Sequence, residues 1–209
     1  MGINGLWTLL APISKSESLC NLAIEKGFVG NVAGIRGYRV GMLGNGWIYA
    51  ACYHHSNTKS PKLAMLFAHC CHLLRLPIYP VFIFDGQEQP NKKQGKQVQG
   101  NHHWITMMMK AAMKEMLDHL GFPWVDAPGE AEAELVALSK LYLVDAIITE
   151  DLDAVVFGAT TILQLGDKFS KTESMRMYQA DDVAGLGLNE DALVLVGLLA
   201  GEDYSVCPF

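Results

Sequence analysis

The run Ile78–Phe84 (IYPVFIF) is apolar throughout, has the length of a strand, and stops abruptly on Asp85-Gly86. The same event recurs downstream, where Asp145–Thr149 (DAIIT) gives way at once to Glu150, Asp151 and Asp153. Between the two, a short strand at Phe122–Asp126 leads into a helix, Glu130–Lys140, opened by Glu130, Glu132 and Glu134. Short apolar runs of this kind suit strands covered on both faces, the condition of a parallel sheet in an α/β protein. In such folds ligands gather outside the carboxyl ends of the strands. Three separated acidic elements therefore point toward one rim of one sheet.

The rest of the pattern agrees with that class. Gly37–Leu43 (GYRVGML) reads as a further short buried strand, and Ser60-Pro61 as a helix start with proline at the first helical position. Leu63, Leu66, Phe67, Cys70 and Leu74 follow at helical spacing, which resumes from Ile105 to Leu120 until Gly121 stops it. Thr160–Leu165 gives another strand and Asp191–Ala200 a final apolar helix. Residues 87–103 have almost no apolar content and read as a mobile, solvated loop carrying Lys92, Lys93 and Lys96. Alternating strands and helices favour a doubly wound, mostly parallel sheet flanked by helices.

With half of its 209 residues hydrophobic and 18% charged, the chain is neither a disordered segment nor a coiled coil. Five cysteines, two of them adjacent at Cys70 and Cys71, have no CxxC spacing. With no secretory signal pattern they suit a reduced intracellular protein. No apolar run approaches the roughly 18–20 residues of a membrane span. His69 and His72 flank the cysteine pair on a helix, but Cys70 falls on its buried face and no third ligand is near in sequence, so a zinc site is disfavoured.

Clustered carboxylates repel one another, and several in one cleft need a counter-charge. Divalent cations supply it. Mg²⁺ prefers oxygen ligands, and two such ions about 3.5–4 Å apart can activate water and stabilise the leaving oxygen of a phosphodiester. Each acidic element also has a plainer reading: Asp85-Gly86 as a turn, the glutamates as partners of a helix dipole, and Glu150–Asp153 as a cap. A phosphatase with an aspartyl nucleophile fits Asp151-Leu152-Asp153-Ala154-Val155, yet leaves Asp85, Glu130 and Glu132 without a task.

MGINGLW at the amino terminus, VFIFDG at 81–86, PGEAEAE at 128–134, ITEDLDAVVFG at 148–158 and LLAGEDY at 198–204 resemble the flap endonuclease/XPG/Holliday-junction-resolvase family of structure-specific 5′ nucleases. The resemblance runs from Met1 to about Tyr204. It implies a PIN-like nuclease core, with residues 1–97 and 121–205 as its XPG N-terminal and internal regions and 98–120 as an arch or linker between them. The implied metal ligands are Asp85, Glu130 and Glu132, mainly for one ion, and Asp151, Asp153 and Asp203, mainly for the other. Both ions would be Mg²⁺, which Mn²⁺ could replace. Lys92, Lys93 and Lys96 fall where the family carries basic residues that steer the scissile phosphate, Lys92 and Lys93 being the catalytic candidates. Gly2 would lie beside the cleft. The implied partner is flapped or branched DNA, with no small-molecule cofactor and no membrane, and the implied location is the nucleus. The resemblance gives no oligomeric state.

Two departures divide the functional readings. The family's first strand ends in an aspartate, and alignment through Gly37 and Trp47 puts Leu43 there, with Asn45 two residues on as a neutral substitute. The family also continues past the GxDY motif into a DNA clamp, and the arginine expected on its arch helix has no clear match. The expectations are therefore an endonuclease core impaired by Leu43 and by a missing carboxyl-terminal DNA clamp, a non-catalytic relative that binds nucleic acid or protein, or a truncated gene model of an active enzyme. The net charge of −6 argues against a nucleic-acid partner only until the six proposed ligands are set aside, which leaves as many acids as bases.

Overall fold

In a computed structural model, residues 5–30, 37–53, 60–88, 92–93, 96–97, 103–165 and 174–200 are described. In chain order the elements are α1 (Leu6–Leu10), β1 (Lys15–Ser18), α2 (Leu19–Ile24), β2 (Tyr38–Leu43), α3 (Gly44–Cys52), α4 (Pro61–Leu73) and β3 (Ile78–Phe84). There follow β4 (Lys92–Lys93), β5 (Lys96–Gln97), α5 (His103–Leu120), β6 (Trp124–Asp126), α6 (Ala131–Lys140) and β7 (Ala146–Ile148). The chain continues through α7 (Asp153–Val156), β8 (Thr161–Leu165), β9 (Ser174–Gln179), α8 (Ala180–Gly185) and α9 (Glu190–Ala200). Seven strands form one sheet in the order β1-β9-β8-β7-β2-β3-β6. The five from β8 to β6 run parallel; β9 pairs antiparallel with β8 and β1 antiparallel with β9, so among the described strands of this sheet β9 runs against the rest.

The doubly wound arrangement follows from strand alternation. Val40, Met42, Phe82, Phe84, Ala146 and Leu163 point to one face, where α2 to α5 cover them with Leu22, Ile48, Leu66, Cys70, Met113 and Leu117. Ile83, Ile147, Ile162 and Tyr178 point to the other, packed by Leu6 and Leu10 of α1, Leu135 of α6, Val155 of α7 and Leu193 of α9. Successive strand residues thus enter opposite cores, as a period of two requires. On the second face Gly41 lets α6 approach β2, because a Cβ there would run into the Leu135 side chain.

Several boundaries have local causes. Pro61 opens α4, where its missing N–H costs nothing. Gly121 ends α5 with a φ of 73°, a left-handed conformation cheap only for glycine. The sequence reading of 87–103 as a loop needs amendment: β4 and β5 form a two-residue antiparallel pair within it. Two-residue strands of lysine and glutamine carry no apolar alternation, so their pairing leaves no pattern to read. The described cysteines form no disulfide. Cys70 is buried in the core, which pushes its thiol up to about 11, and His69 stacks edge-on against Trp47. Both have structural surroundings.

Candidate metal centre

Four strand ends meet along the rim. β2 ends at Leu43 and turns directly into α3, while β3 ends at Phe84 and delivers Asp85. The chain after β3 stays alongside the chain after β6: the Ala127 N–H donates to the Phe84 carbonyl at 2.8 Å, and the Gly86 N–H to the Gly129 carbonyl at 2.7 Å. This approach is so close that a Cβ on Gly86 would collide with the carbonyl oxygens of Ala127 and Pro128. It brings Asp85 to the start of α6, where the Ala131 N–H donates to Asp85 Oδ1 at 2.9 Å. Glu130 is the cap residue of α6, and Glu132 lies in its first turn.

β7 supplies the opposite wall. It ends at Ile148, and the buried Thr149 follows. The Thr149 hydroxyl donates to Glu132 Oε1 at 3.2 Å and accepts from the Asp151 N–H at 3.0 Å. The Asp153 N–H in turn reaches Asp151 Oδ1 at 3.4 Å, which bends the acidic loop back on itself before α7 begins. Glu132, Asp151 and Asp153 each offer a carboxylate oxygen, and these three atoms lie within 4.8 Å of one another.

Electrostatics mark the same trio. Burial, with the charges of Asp151 and Asp153 beside it, pushes Glu132 up to about 8, while the Thr149 hydroxyl pulls in the opposite direction. A carboxyl group so placed keeps its proton at neutral pH unless positive charge arrives. The donor set is all oxygen, half-buried and rich in negative charge, and so it fits a hard divalent cation such as Mg²⁺ or Mn²⁺. Among the described residues this is the group of acids, histidines or cysteines close enough to hold a metal.

The structure thus gathers Glu132, Asp151 and Asp153 tightly, with Asp85 and Glu130 on the adjoining wall outside that trio. Lys92 and Lys93 form β4, and Lys96 opens β5. Gly2 and Asp203 lie outside the described residues. Sequence reasoning passed over Thr149, whose signal was a hydroxyl at the end of an apolar run. It also passed over Lys110 of α5, whose ammonium donates to the Asp85 carbonyl at 2.7 Å and pairs with Asp126 at 2.7 Å.

A mostly parallel sheet with two helical layers and an acidic rim is the architecture of a PIN-like nuclease core. Family models agree: the XPG N-terminal domain matches residues 1–104 and the XPG I-region matches residues 121–203. The chain belongs to the XPG family. It is 28% identical to the mouse (Mus musculus) protein named flap endonuclease GEN homolog 1 over 224 residues, covering 98% of this chain and 23% of that protein. Among solved structures, the catalytic core of Rad2 in complex with DNA substrate superimposes with a TM-score of 0.78 at 30% identity, covering 98% of this chain and 62% of that one. The Holliday junction-resolving enzyme GEN1, in complex with product DNA and Mg²⁺, gives a TM-score of 0.76 at 29% identity, covering 97% of this chain and 46% of that one. The chain therefore spans about a quarter of the length of the mouse relative. Among the described residues, no helix is long and apolar enough to cross a membrane.

Proposed function

We propose that this chain is the core of a structure-specific DNA endonuclease that hydrolyses phosphodiester bonds in 5′ flaps or four-way junctions. The convergence of Glu132, Asp151 and Asp153 at the carboxyl rim of the sheet carries this reading. The DNA-bound nucleases with the same fold support it. In this reading the trio holds one divalent cation, and Asp85 and Glu130, with Asp203, complete the ligand set for a pair. Such ions lower the pKa of a bound water and stabilise charge on the leaving oxygen. The chain's own residues orient the rest. Thr149 fixes Glu132 and the Asp151 loop, and the Ala131 N–H holds Asp85 against the start of α6. Lys92 and Lys93, with Lys96 and Gly2, contact the DNA backbone near the scissile phosphate. Residues 1–97 and 121–205 act as two regions of one core, with 98–120 as the arch, and the protein works in the nucleus.

The second reading, a binder that does not cut, is favoured by one observation: β2 ends in the apolar Leu43, which packs with the core on the α6 face. One experiment tests both. Labelled 5′-flap and four-way-junction DNA is incubated with the chain in Mg²⁺, Mn²⁺ or EDTA, beside Leu43→Asp. Metal-dependent cutting that rises with Leu43→Asp supports an endonuclease impaired at that position. Equal rates end the impairment idea, and junction binding that survives EDTA with no cutting in any metal selects the binder.

A further inference from the structure

The parallel register pairs Leu43 of β2 with Ile83 of β3. Two residues beyond each partner, Asn45 and Asp85 come level at the rim, Asn45 in the first turn of α3 and Asp85 just past β3. Their contact is double. Asn45 Nδ2 donates to Asp85 Oδ2 at 2.6 Å, and the Asp85 N–H donates to Asn45 Oδ1 at 3.2 Å. The two bonds fix the orientation of the amide, since a flipped Asn45 would set oxygen against carboxylate and NH₂ against N–H. Asp85 Oδ1 takes the Ala131 N–H of α6, and the Asp85 carbonyl takes Lys110 of α5. One acid is thus held by groups from three helices. Leu43, which stands where the family has an aspartate, can make none of these bonds.

We propose that Asn45 is a positioning residue for Asp85. It takes over the β2 side of the rim that Leu43 leaves without a polar group, and fixes the Asp85 carboxylate by a pair of hydrogen bonds. A neutral amide suits this task, because it donates to the carboxylate and adds no further negative charge to an already crowded rim. A carboxylate at position 45 could accept the Asp85 N–H but would meet Asp85 Oδ2 as a like charge. Only the use to which the positioned carboxylate is put, cation binding, rests on the endonuclease reading.

The test is a double-mutant cycle on the full chain with Asn45→Ala and Asp85→Ala, read in two ways. Mn²⁺ affinity is measured by electron paramagnetic resonance, and stability in EDTA by chemical denaturation. Asn45→Ala is expected to weaken Mn²⁺ binding about tenfold in the wild-type background, as loss of an orienting partner does. In the Asp85→Ala background it should weaken binding no further. The EDTA cycle should show coupling between the two positions. Asn45→Asp, a second variant, should lose stability in EDTA and regain it with Mn²⁺. Additive losses in both assays overturn the proposal. If the wild type takes up no Mn²⁺, the endonuclease reading falls, and the EDTA cycle alone decides whether Asn45 holds Asp85.

Discussion

On the β7 side of the rim, Glu132, Asp151 and Asp153 crowd together around the Thr149 hydroxyl, whereas on the β3 side Asp85 receives donors from Asn45 and Ala131. Both walls gather negative charge at strand ends. The first leaves charge that a cation would relieve, and Glu132 shows the strain by rising to about 8. The second is a carboxylate already seated by the protein. The contrast teaches that an acidic rim is not a uniform feature. One part crowds carboxylates together, and the other seats a single carboxylate at a fixed angle.

The most severe way to break that contrast is to remove the crowding itself. Asp151→Asn combined with Asp153→Asn should lower Mn²⁺ affinity and any cleavage by at least about a hundredfold, measured by titration and with flap DNA. Gly86→Ala attacks the other wall, because its methyl has no room beside the Ala127 and Pro128 carbonyls. A loss of about 2–3 kcal/mol in urea denaturation is expected. A pH series then separates the walls by titration. Glu132 has a folded pKa raised from 4.5 to about 8, so the folded state binds more protons than the unfolded across that window. Metal-free stability should therefore be full below about pH 4.5 and fall as pH rises through 8. Solvent at this half-buried rim screens part of the effect, leaving about 2 kcal/mol. Glu132→Gln should flatten the slope, as should saturating Mg²⁺. The mildest probe is Thr149→Val, which removes two hydrogen bonds and should cost about 1–2 kcal/mol while steepening the pH slope.

Much of this was legible in the sequence, for reasons particular residues explain. β3 occupies the span Ile78–Phe84 expected of it, because a central strand buried on both faces has no choice but to be apolar. The acids at its end and after β7 were visible for the same reason, since polar residues interrupt such a run only where the strand stops. β1 (Lys15–Ser18, KSES) left no such trace: it is an edge strand, held by pairing with β9 rather than by an apolar face. α3 was hidden by Gly44 and Gly46, poor helix formers, although Gly44 is needed where a Cβ would strike the Phe84 ring. At the site, the grouping of Glu132 with Asp151 and Asp153 depends on where α6 starts relative to β7, which spacing along the chain does not encode. Asn45 read as a weak substitute for a missing ligand until the register of β2 and β3 placed it level with Asp85.

The strand order has a consequence for how the molecule comes into being. β1 is the first strand of the sheet to leave the ribosome, yet its pairing partner is β9, the last, with Lys15 opposite Met177. β2 waits similarly, flanked by β3 and by the much later β7. β1 cannot pair until Ser174–Gln179 have been synthesised, and such long-range closure slows folding. The rim, too, is incomplete until the acids that follow β7 have been made. An amino-terminal fragment that stops short of β7 would carry Asp85, Asn45, Glu130 and Glu132 without Asp151 and Asp153.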